Sequence, residues 1–91
     1  MINEYYITSD EKEIADLILE KFNIRVSFLI YESAASGFVM SILFFNDSDR
    51  DMFLKKSKFK SLCDNSDITV CDKVVVLLGS RVIELSRILV S

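Results

Sequence analysis

Residues Phe38 to Phe45 have the two-residue period of a strand, yet both faces created by that alternation are apolar. Phe38, Met40, Ile42 and Phe44 point one way, and Val39, Leu43 and Phe45 point the other, with Ser41 the only polar interruption. A strand that shows one face to water usually carries polar residues at every second position. This one requires shelter on both sides of whatever sheet it joins.

The preceding segment, Ile24 to Tyr31, also has period two. Ile24, Val26, Phe28 and Ile30 alternate with Arg25, Ser27, Leu29 and Tyr31, and the small and polar residues of 32–37 suit a hairpin loop. If Met40, Ile42 and Phe44 share the helix side with Val26 and Phe28, the opposite face carries Leu29, Tyr31, Val39, Leu43 and Phe45. The other parity leaves a different apolar set outside.

The remaining elements follow from capping and periodicity. Ile2 to Ile7 reads as a strand, and Thr8 with Glu11 has capping-box spacing for a helix running to Phe22, with Asn23 as its terminator. Ile14, Leu17, Ile18 and Phe22 share one face of that helix. Ser48 is placed to cap a helix from Asp49 to Leu62, with Asp51 completing the box. Ile68–Cys71 and Val74–Leu78 are strand-like, and Asp72-Lys73 between them is either a turn or a bend. Ser80 is placed to cap a final helix to Val90 whose apolar surface is broad: Val82, Ile83, Leu85, Ile88, Leu89 and Val90.

This order predicts an α+β fold, a ferredoxin-like βαββαβ two-layer sandwich with an additional C-terminal helix. The expected organisation is one domain over residues 1–91, with its core in 2–78 and the extra helix over 80–90. A true turn at Asp72-Lys73 would add a strand and make the fold a variant. The final helix is expected either to fold back over the second apolar face or to dock on another copy.

Composition narrows the chemistry. The chain has no histidine, so it cannot build histidine-based triads and lacks the commonest metal ligand. Cys63 and Cys71 alone cannot complete a four-ligand zinc site. No export signal or spanning-length apolar run is present, which predicts a reduced, cytoplasmic protein with no membrane partner. Asp47, Asp49 and Asp51 alternate as hard-cation ligands do, but an EF-hand would need glycine at Met52 and glutamate at Lys58. Helix capping accounts for the same residues. No catalytic, metal or cofactor site is expected, and the chain reads as a non-enzyme.

The net charge of −3 is unevenly spread: residues 1–47 carry three basic and eight acidic groups, residues 48–91 eight basic and six acidic. Lys55, Lys56, Lys58 and Lys60 cluster on the second helix. An acidic total lacks the long-range field that draws proteins onto duplex DNA.

Ser36-Gly37-Phe38-Val39-Met40-Ser41-Ile42-Leu43 resembles the third-strand motif of the RNA-recognition domain at Gly37 and Phe38. It departs from that motif at Ser36, Met40 and Leu43, where a basic residue and two rings belong. The resemblance implies base stacking by Phe38 and by Tyr5 or Tyr6.

The leading expectation is a protein-binding regulator or inhibitor, acting by surface occlusion on another copy of itself or on a larger host or cellular protein. The interface is expected around Tyr31, Phe45, Leu85 and Leu89, with Lys55, Lys56, Lys58 and Lys60 setting orientation. Single-stranded RNA binding is the alternative.

Overall fold

The computed structural model describes residues 10–35, 37–62 and 66–91. The strand expected at Ile2–Ile7, the Thr8 cap, Tyr5, Tyr6 and Cys63 lie outside the described residues. The elements are α1 (Glu11–Phe22), β1 (Val26–Ala34), β2 (Gly37–Phe44), α2 (Asp47–Ser57), a 3-10 turn (Lys60–Leu62), β3 (Ile68–Cys71), β4 (Val74–Leu78) and α3 (Ser80–Val90). The strands form one antiparallel sheet in the order β1-β2-β4-β3, flanked by the helices in an α+β, ferredoxin-like arrangement. Asp72-Lys73 is a true turn: Cys71 pairs with Val74, and Asp72 adopts a positive φ of 55°. The sheet therefore takes the variant form, with β4 beside β2.

Local chemistry sets the boundaries. Asp10 caps α1, its side chain accepting from the Lys12 N–H at 3.0 Å, and left-handed Asn23 ends the helix. Asn46, not Ser48, caps α2 by accepting from the Asp49 N–H at 2.8 Å. That helix stops at Ser57, short of the expected Leu62, because Lys58 turns left-handed (φ 68°). The reversal drives Phe59 into the core. Ser57, itself buried, bridges the break by donating to the Leu54 carbonyl and accepting from the Phe59 N–H. Ser80 does not cap α3. Gly79 holds the cap position at φ 57°, a conformation glycine adopts at little steric cost, and no side chain completes the cap.

The β1–β2 hairpin is tighter than expected. Ala34 pairs with Gly37, so Glu32 and Ser33 belong to the strand rather than to a loop. At the other end, Val26 pairs with Phe44 while Phe28 pairs with Leu43, leaving Ser27 as a bulge. That one extra residue reverses the parity of everything after it. Leu29 and Tyr31 stand opposite Ile42 and Met40 on the helix side, and Phe28 and Ile30 move to the other face.

One core lies between the sheet and all three helices. Leu29, Met40, Ile42, Phe44, Ile68, Val75 and Leu77 from the sheet meet Ile14, Ile18 and Phe22 of α1, Phe53 and Leu54 of α2, and Val82, Leu85 and Leu89 of α3. Phe53 is a hub of rings, with centroids 5.1 Å from Phe44, 5.7 Å from Phe22 and 6.4 Å from Phe59. The C-terminal helix thus covers the same face as α1, and among the described residues no helix covers the second sheet face. The expectation that it would shelter that second face is corrected by the burial of Val82, Leu85 and Leu89.

Candidate interaction face

Strand register lays out the open face in rows. One row runs Phe28, Leu43, Val74, Cys71; the next Ile30, Ser41, Val76, Thr69; a third Glu32, Val39, Leu78. Phe45 lies in the bend just beyond β2 and is exposed. Phe28 is 59% exposed, Phe45 54%, Ile30 42% and Leu78 37%, while Val39, Leu43, Val74 and Val76 are half-buried. A whole aromatic side chain offers roughly 200 Å², so Phe28 and Phe45 each leave about 100 Å² open. The whole patch is on the order of 500 Å², in the range where the largest apolar patch of a monomer is often functional. The first two rows contain no charged residue; Glu32 sits at one corner.

The structure brings only part of the expected site together. Phe45 is exposed in the bend that follows β2. Tyr31 is on the helix side, half-buried, its ring stacked on Phe38 with centroids 6.3 Å apart and planes 18° from parallel. Phe38, the ring expected to stack bases, is therefore turned away from the open face. Leu85 and Leu89 are spent in the core, so placing them in an interface is corrected. Phe28, Ile30, Val74, Val76 and Leu78 form most of the actual patch and were not expected there. The unbroken apolar run Val74–Leu78 was the available signal, since a strand without polar alternation must present apolar groups on both faces.

The lysines belong to the α2 side. Lys56 Nζ donates to the Phe22 carbonyl at 2.7 Å, holding the C-terminal end of α1, where positive charge is favoured. Lys55, Lys58 and Lys60 are exposed. Lys58 rims a groove of about 320 Å³ with Glu84 and Arg87, floored by Phe59, Leu62 and Ile88. A second groove of about 250 Å³ runs along α1 and the bulge, lined by Glu11, Lys12, Ala15 and residues 26–29.

Two arginines serve the scaffold. Arg50 donates to Asp51 Oδ1 through Nε (3.1 Å) and Nη2 (2.9 Å), lies 3.7 Å from Asp47, and reaches the Asp72 carbonyl with Nη1. It ties the start of α2 to the β3–β4 turn, and the hydrogen bond to Asp51 raises its pKa. Arg81 donates from Nη1 to Glu84 at 2.8 Å, which raises its pKa in the same way. Its Nε lies 3.2 Å from Asp67 Oδ2, an ion pair in which the N–H is not aimed along a hydrogen bond.

Asp47 and Asp51 face Arg50, and the Asp49 N–H serves the cap. Among the described residues no group of three or more Asp, Glu, Cys or His gathers where a metal could be held. No helix among them is long and apolar enough to cross a membrane. Comparison with protein-family models, curated proteins and solved structures finds no match, so the chemistry of the open face is what bears on function.

Proposed function

We propose that this chain is a non-enzymatic, cytoplasmic protein-binding module that regulates or inhibits by occlusion, pressing the open sheet face against a protein surface. The observation that carries this reading is the sheet face that no described helix covers, with Phe28, Ile30 and Leu78 between 37% and 59% exposed around an uncharged centre. Burying such groups is worth about 25 cal/mol per Å², and a charge-free centre with a charged rim is the usual anatomy of a protein interface. A nucleic-acid partner fits less well. Its affinity comes chiefly from cations meeting phosphates, and the central rows hold no lysine or arginine.

The test is site-specific photo-crosslinking in cells producing the chain, with benzoylphenylalanine replacing Phe28 or, as a control, the exposed Glu13 of α1. Protein adducts at position 28 and not at 13 are expected. Equal labelling at both positions, or none at either, overturns the reading.

A further inference from the structure

We infer that the occupant of the open face is a second copy of this chain, giving a sheet-on-sheet homodimer; this rests on the proposal that the face binds protein. Two copies each carry a net charge of −3, so they repel unless they meet where charge is absent. The rows Phe28-Leu43-Val74-Cys71 and Ile30-Ser41-Val76-Thr69 are that place. An apolar, uncharged surface is complementary to itself, as a twofold interface requires. Two twisted sheets can stack face to face at about 10 Å with their strands nearly aligned.

The area sets the strength. About 500 Å² from each copy makes roughly 1,000 Å² in total, at the lower edge of specific interfaces. The dimer is therefore reversible, with a dissociation constant on the order of 10 µM. Joining through sheet edges is disfavoured among the described residues. β3 offers only four residues, and β1 is bulged at Ser27 with its Tyr31 N–H already donated to Glu11 Oε2 at 3.0 Å.

The experiment is sedimentation equilibrium of the purified full chain from about 1 to about 500 µM, spanning the expected midpoint. The expected result is a rise from 10.4 kDa to twice that mass. Phe28→Ser should raise the dissociation constant about 100-fold or more, because each substitution removes a ring from both halves of the interface. Ile30→Thr, which keeps a β-branched strand former, should raise it by about tenfold, while Lys60→Ser leaves it unchanged. Circular dichroism first establishes that each variant is folded, and Ile30→Thr carries the test if Phe28→Ser is not. A single 10.4 kDa species at every concentration overturns the inference, as does a dimer indifferent to the face variants. If that monomer still forms adducts with other proteins through position 28, the second-copy inference falls and the protein-binding reading stands. If it forms none, both fall.

Discussion

The bulge at Ser27 determines which side chains of β1 support the fold and which are free, so the pair Phe28 and Leu29 tests it directly. Leu29 is 5% exposed and opposite Ile42 in the core, whereas Phe28 is 59% exposed on the other face. Leu29→Ala removes about 2 kcal/mol of burial, and a cavity that collapses only partly adds about 1 kcal/mol more, for a cost of about 3 kcal/mol. Phe28→Thr gives up a mostly hydrated ring, keeps strand propensity and should cost about 1 kcal/mol or less. At about 2.1 cal/mol/K per residue the unfolding entropy is about 0.19 kcal/mol/K, so Leu29→Ala should lower Tm by about 15 °C and Phe28→Thr by about 5 °C at most. The assay is thermal and urea unfolding followed by circular dichroism at low micromolar concentration, where association contributes little. A Phe28→Thr variant as damaged as Leu29→Ala, or more so, would refute the bulged register and with it the identity of the open face.

Other consequences follow from the caps and charges. Asn46→Ala deprives the Asp49 N–H of its acceptor and should cost about 1 kcal/mol in urea unfolding, whereas Ser48→Ala should cost far less. Lys58→Gly relieves a left-handed, non-glycine residue at an exposed helix end and should raise Tm by a few degrees, a net gain of about 0.5–1 kcal/mol. The raised pKa values of Arg50 and Arg81 mean that their ion pairs stabilise fully below the ordinary arginine range and are lost only as pH climbs through the raised values. With no histidine in the chain, Tm should change by no more than about 2 °C between pH 6 and pH 7. A larger drift across that window would show a titrating group that the fold depends on.

Much of the architecture was legible because its signals are local. The 3.6-residue stripe of Ile14, Ile18 and Phe22 and the period-two run through Met40, Ile42 and Phe44 each report an element within a few residues, whereas Asp72-Lys73 left a turn and a bend equally open. What escaped were events that tertiary packing decides. Ser27 has nothing in its own sequence to mark a bulge; the bulge is defined only by pairing with β2, where Val26 keeps Phe44 and Phe28 takes Leu43. Lys58 is an ordinary helix former, and it ends α2 because Phe59 gains more by entering the core than the helix gains by continuing. The apolar width of α3 was visible, but not that Leu85 and Leu89 would be consumed between α1 and the sheet. The same one-residue ambiguity kept Phe28 and Ile30 out of the expected site.

A sheet with one apolar face that no described helix covers risks growing without limit, and the geometry of the described strands favours the proposed closed pairing over a fibre. Extension along the hydrogen-bonding direction needs two long, unobstructed edges. β3 supplies a short one, and the tight turn at Asp72 that ends it is held by Arg50. β1 is long but bent by its bulge, and Glu11 accepts the Tyr31 N–H that an incoming strand would use, adding a negative charge that an identical copy would have to displace. The open face carries no such obstacles: its central rows are neutral and its charged residue, Glu32, lies at a corner. In the proposed dimer, stacking two faces would bury both patches at once and leave no open sheet face among the described residues for a third copy to join. If the proposed dimer forms, the asymmetry between guarded edges and an unguarded face would turn an apolar surplus into a finite interface rather than a fibre.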